Sequence, residues 1–264
     1  MSDSKKISEL AQLFADEYKI YPKRRYDNYS PAKIFQKMFP MNHYSQDLEI
    51  FFSLQNYNPV QRGADLPWWG KDYFSGKKSF RRVMIIGQDS LAKDAGSIIF
   101  AAQFFPPDIG AVQYQEFYQE YINKMGVKKY FSPNKLKRVE NQFIEWRIDF
   151  NFLYITDASK VYKKGSRKNH DFDKEKSKEL LEAEIEFCNP DLTILLGKSP
   201  LLLLDKTKNY ASVVESGELI LLNNKKCIVA PFFIGNGPAG NNRGKRTLGF
   251  ERRLEIATNL ILKK

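Results

Sequence analysis

The chain has 264 residues, 42% of them hydrophobic and 28% charged, enough apolar material for one α/β core or two smaller ones. Its 42 Lys and Arg against 31 Asp and Glu leave a net charge of +11. That excess suits an anionic partner, nucleic acid first, through phosphate neutralisation; a solvated lysine-rich surface without a partner is the alternative. Two isolated cysteines, Cys188 and Cys227, hold neither a four-thiolate cluster nor a secreted disulfide framework and read as buried apolar filler. The opening Met1-Ser2-Asp3-Ser4-Lys5-Lys6 lacks a signal-peptide core, and no apolar run approaches the ~20 residues of a membrane span. A soluble protein of the reducing cytoplasm is expected, monomeric, with no metal and no cofactor.

Ile7, Leu10, Leu13, Phe14 and Tyr18 fall at helical spacing, and Pro22 ends that segment. From there to about Lys78 the sequence is aromatic and irregular, interrupted by Pro40, Pro59 and Pro67, and reads as short helices and loops capping the domain. Trp68-Trp69 within it suits a buried aromatic patch better than an exposed stacking surface. Four near-continuous apolar runs come next: Val83–Ile86, Phe152–Thr156, Leu192–Leu196 and Cys227–Phe232. Such runs are the mark of strands buried on both faces of a parallel sheet.

Helical patterns lie among these runs. Residues Lys174 to Cys188 set Leu181, Ile185 and Cys188 on one face and stop at Asn189-Pro190. Ser212 to Leu222 suggests a turn and an extra short strand through Ser216-Gly217. The last helix, from about Arg246 to Leu262, lines up Phe250, Leu254, Ala257 and Ile261. No repeat, low-complexity tract or linker is evident. The expected architecture is a single α/β domain over 1–264, a three-layer αβα sandwich with a central, mainly parallel four-stranded sheet. Residues 1–80 would form an N-terminal helical cap and 81–264 the core.

Each apolar run gives way to a polar cluster. The first ends in Gly87-Gln88-Asp89-Ser90, the second in Asp157-Ala158-Ser159-Lys160, the third in Gly197-Lys198-Ser199-Pro200, and the fourth in a loop from Gly235 to Arg246. Parallel strands would bring all four clusters to one rim, where ligands of open α/β sheets bind. Two carboxylates, several amides, glycine backbone and a basic lip suit an uncharged heterocycle with phosphates around it. No Walker loop or dinucleotide fingerprint points instead to a nucleotide enzyme.

In this order the segments resemble the uracil-DNA glycosylase superfamily, over roughly two-thirds of the chain from Val83 onward. Ile86-Gly87-Gln88-Asp89 is similar to the motif whose aspartate orients the attacking water. Gly96-Ser97-Ile98-Ile99-Phe100 resembles the segment whose phenylalanine stacks on the extruded base. Tyr154-Ile155-Thr156-Asp157 resembles the segment that ends in the base-reading asparagine. Asn189-Pro190-Asp191 through Gly197 is similar to the third strand, and Pro238-Ala239-Gly240-Asn241-Asn242-Arg243-Gly244 to the loop that wedges into the minor groove.

The resemblance implies hydrolysis of an N-glycosidic bond on a base taken out of the stack. Asp89 and Gln88 would serve the chemistry, and Phe100, Asp157 and Ser90 the base. Pro238, Asn241, Asn242 and Arg243 would wedge the DNA, with Lys160, Lys245 and Arg246 near phosphates. Asp89 capping a helix after the strand is the plainer alternative.

Three departures bear on the chemistry and the substrate. The family's last motif usually opens with His-Pro, but Gly237 precedes Pro238 and Ala230 precedes Pro231, while His43 and His170 lie elsewhere. Asn236 or Asn242 would have to donate to the base oxygen, or turnover is slow or absent. In addition, Asp157 replaces an asparagine. An ionised carboxylate only accepts, so it repels the 4-keto oxygen of uracil and takes the 4-amine of cytosine. A protonated Asp157 mimicking asparagine, or one capping a turn, remains open. Ser90-Leu91 stands where the classical enzymes carry Pro-Tyr, which removes a wall against groups on base carbon 5. A hypermodified phage cytosine then becomes an expected substrate, and phage defence an expected role. A catalytically inactive DNA-binding relative and an ordinary uracil enzyme are the alternatives.

Overall fold

A computed structural model of the protein describes residues 9–10, 67–70, 72–77, 80–88, 133–161, 172–222, 224–233 and 248–263. The fold is mixed α/β around a six-stranded mixed sheet. In chain order its elements are β1 (Trp68–Trp69), β2 (Val83–Gly87), α1 (Pro133–Glu145), a 3-10 turn (Phe150–Phe152), β3 (Leu153–Asp157), α2 (Lys174–Cys188) and β4 (Leu192–Leu196). After these come α3 (Lys198–Leu204), α4 (Tyr210–Ser216), β5 (Ile220–Leu222), β6 (Lys225–Ala230) and α5 (Phe250–Leu262).

The strands lie in the order β1-β3-β2-β4-β6-β5. The inner four are parallel, with Gly87 opposite Asp157, Ile86 opposite Leu195, and Leu196 opposite Ala230. The expected four-stranded sheet is therefore corrected to six strands: β1 and β5 add an antiparallel edge on each side. Every residue of β3 and β4 is buried, as are the first four of β2, which is why these strands read as unbroken apolar runs.

Local chemistry sets the helix ends. The Asp173 carboxylate accepts from the Lys176 amide at 3.1 Å and caps α2, which stops at Asn189 in the left-handed region (φ 44°) just before Pro190. Asn209 caps α4 by accepting from the Ser212 amide at 3.1 Å. Ser216-Gly217, expected in an extra strand, is instead the last residue of α4 and its left-handed cap, and the strand comes three residues later. In α5 the expected stripe is seen: Phe250, Ala257 and Ile261 are buried and Leu254 packs against the core. The helix begins at Phe250 rather than Arg246.

Trp68 and Trp69 are buried, and Trp69 stacks flat on Tyr154 with ring centres 5.7 Å apart. The next residue is Gly70 because a β carbon there would stand 2.0 Å from the Phe150 carbonyl oxygen. Both cysteines are free and buried. Of the expected N-terminal helix, Glu9 and Leu10 are helical and the remainder lies outside the described residues.

Candidate functional site at the C-terminal edge of the sheet

The parallel strands change direction of progression at one place. The chain steps from β2 to β3 on one side, then passes back over β2 to β4 on the other. The C-terminal ends of β2 and β4 thus flank a topological switch point, the place where open α/β sheets form a crevice. Gln88 and Ser199 face each other across it, and the Ser199 hydroxyl donates to Gln88 Oε1 at 2.8 Å.

On the other side of β2, Gly87 pairs with Asp157. A β carbon on residue 87 would lie 2.9 Å from Asp157 Oδ1, so the absence of a side chain is what lets the carboxylate rest there. Asp157 is buried, with 6% of its surface exposed. The parallel ladder continues past the strands: the Ala158 amide donates to the Gly87 carbonyl at 3.0 Å and the Ser159 amide to the Gln88 carbonyl at 2.8 Å. Gln88 is consequently held from both sides, by its backbone on the β3 side and by its side chain on the β4 side.

Beneath this rim, on the opposite face of β3 from Asp157, lies a polar cluster. The Tyr154 hydroxyl donates to Glu184 Oε1 at 2.7 Å and the Thr156 hydroxyl at 2.9 Å. Lys160 Nζ donates to the Thr156 hydroxyl at 2.5 Å and forms an ion pair with Glu184 Oε2. Lys160 and Glu184 are both fully buried. Burial first, then Cys188 and Glu184, pushes the Tyr154 hydroxyl well above its ordinary range. Burial and Glu184 do the same to the Cys188 thiol. Both groups therefore stay neutral hydrogen-bonding partners at ordinary pH.

Of the sequence-derived site residues, Gln88 and Asp157 come together on adjacent strand ends. Lys160 is corrected: its ammonium is committed to Glu184 and Thr156 in the core, so it does not reach a phosphate at the surface. Asp89, Ser90, Phe100, Asn236, Pro238, Asn241, Asn242, Arg243, Lys245 and Arg246 lie outside the described residues, as do His43 and His170. Sequence reasoning missed Ser199 as the partner of Gln88, and it missed Glu184. The signal for Glu184 was present, since an acid between Leu181 and Cys188 on the apolar stripe of α2 demands a buried partner. Among the described residues no group of three or more His, Cys, Asp or Glu is placed to hold a metal ion. None of the described helices is long and apolar enough to cross a membrane.

A buried carboxylate and a clamped amide on one rim can accept from, and donate to, the edge of a flat polar heterocycle. No family model matches the chain, and no curated protein does.

Proposed function

We propose that the protein is a DNA glycosylase that hydrolyses the N-glycosidic bond of a flipped-out modified or damaged pyrimidine, a cytosine derivative rather than uracil. The observation that carries this reading is the register that sets Gly87-Gln88 beside Asp157 at the switch point of the sheet. It supports a pocket in which the residue after Gln88, Asp89, meets the sugar while Asp157 meets the base. The strand order also supports a three-layer sandwich. The β2-to-β3 and β3-to-β4 connections run in opposite directions across the sheet, and right-handed crossovers put their helices on opposite faces.

In this mechanism the bond from the sugar to the base breaks and its electron pair leaves with the base. Asp89 orients a water, takes its proton as the oxygen adds to the sugar carbon, and offsets the positive charge that builds there. Phe100 stacks on the base, and Asn236 donates to its oxygen in place of the histidine. Asp157 accepts from the exocyclic 4-amine, and Ser90 leaves room for a substituent on carbon 5. Pro238, Asn241, Asn242 and Arg243 wedge the duplex, and Lys245 and Arg246 hold phosphates, consistent with the net charge of +11. The protein works as a monomer in the cytoplasm, where modified phage DNA would be its target.

The test is an abasic-site assay on duplexes carrying uracil, cytosine, 5-hydroxymethylcytosine or its glucosylated form. Cleavage at a cytosine derivative is expected, and Asp157→Asn should shift activity toward uracil. Cleavage of uracil alone overturns the reading of Asp157. Tight DNA binding with no cleavage anywhere overturns the enzyme reading and marks an inactive relative, as the missing histidine would allow.

A further inference from the structure

We infer that Lys160 and Glu184 are positioning residues, a buried clamp that sets the rim formed by Gln88 and Asp157. The inference rests on the glycosylase reading for what the rim does, but not for the clamp itself. Burying an ammonium and a carboxylate together gives no net gain over a well-packed apolar pair of the same volume, because each loses its hydration. Stability alone does not account for this pair, and its connections show what it holds.

Glu184 sits on α2 and gathers Tyr154 and Thr156, alternate residues of β3, on one oxygen and Lys160 on the other. Lys160 is four residues beyond Thr156 and bonds back to it, closing the segment 157–160 into a loop tied at both ends. One residue further, the Val161 amide donates to the buried Ser177 hydroxyl at 2.9 Å, and Ser177 lies two turns before Glu184 on the same face of α2. The loop is thereby fastened to α2 at two points. Its two inner amides, Ala158 and Ser159, are the ones that hold the Gly87 and Gln88 carbonyls. A chain of direct contacts runs from Glu184 through Lys160 to the backbone of Gln88, the residue before Asp89. The clamp touches no substrate; it fixes the segment that does.

The double variant Lys160→Met/Glu184→Leu replaces the pair by apolar groups of similar size. Its urea midpoint should fall, because the buried Tyr154 and Thr156 hydroxyls lose their acceptor, and hydrogen exchange at the Ala158 and Ser159 amides should speed up about tenfold more than at the β4 amides. Glu184→Gln, which keeps the acceptor for Tyr154 and Thr156, should produce a smaller acceleration at the same two amides. Unchanged exchange at Ala158 and Ser159, or an equal loss of protection across β4, overturns the inference. On a duplex that the natural chain cleaves, the single-turnover rate of the double variant should fall about tenfold with DNA affinity kept within about twofold. If the natural chain cleaves none of the four duplexes, the glycosylase reading fails while the exchange measurement still decides the clamp.

Discussion

At the N-terminal ends of the parallel strands, polar groups from neighbouring elements use one another up. The Arg82 amide donates to Asp191 Oδ2 at 2.8 Å, and its guanidinium donates to the Asn189 carbonyl at 2.7 Å, at the C-terminus of α2 where a cation is favoured. The Asp191 amide returns a bond to the Arg82 carbonyl at 2.9 Å, and Lys225 reaches the Asn189 side chain. At the C-terminal ends, the polar groups gather around the switch point instead. Gly87 withholds a side chain beside Asp157, and the Ser199 hydroxyl donates to Gln88 at the switch point between β2 and β4. Both edges carry acids, amides and bases, so composition does not separate them. Strand polarity does: one edge ties strand starts to the end of α2, and the other holds the switch point of the sheet.

The largest contrast should come from one substitution at each edge. Asp89→Asn is expected to lower base excision by about a hundredfold to ten-thousandfold with an unchanged melting temperature. Arg82→Ala should leave the excision rate alone and lower stability by about 1–2 kcal/mol in urea titration, through lost bonds to the end of α2. A stability loss from the first variant, or a rate loss from the second, breaks the division between the edges.

A smaller effect is expected at Gly87. In Gly87→Ala the new methyl must displace the Asp157 carboxylate or shift β2 from β3, which should slow excision about tenfold and cost about 1 kcal/mol. Full activity in this variant would show that the resting place of Asp157 is immaterial to the site.

A separate effect, confined to alkaline pH, is a fall in stability on the side of the strand starts. Burial pushes the Cys227 thiol from 9.0 up to about 12, and it raises Cys188 at the end of α2 as well. The folded chain keeps these protons where the unfolded chain sheds them. Their contribution to stability is therefore full below about pH 9 and is lost as pH climbs toward 12. Urea midpoints should fall between about pH 9 and about pH 12, with a shallower fall in Cys227→Ala. Thiol reagents should leave both cysteines of the folded protein unmodified at neutral pH.

The strands β2 and β4 and the helix α2 were legible because long-range burial writes itself into local pattern: continuous apolar runs, and a helical stripe stopped by Asn189-Pro190. The edge strands were not. Two tryptophans or three residues carry no period, so Trp68-Trp69 announced its burial but not its pairing. Helix α3 also escaped, since Leu201 to Leu204 is apolar throughout and shows no face. Gln88 and Asp157 stood out because a polar residue ending an apolar run is a local signal. The burial of Lys160 was hidden for the opposite reason: its partner Glu184 is 24 residues away, and nothing adjacent to a lysine tells whether its charge meets water or an acid.

The brevity of the outer strands bears on how the protein behaves in a crowded solution. Four apolar parallel strands would make an adhesive surface if their flanks were long and bare. Among the described residues the flanks are two and three residues long, one preceded by Pro67 and the other set against Lys225 and Lys226. An incoming chain would find too few backbone groups to add to and a positive charge beside them. Among the described residues, the sheet therefore offers a neighbouring chain little edge on which to extend it.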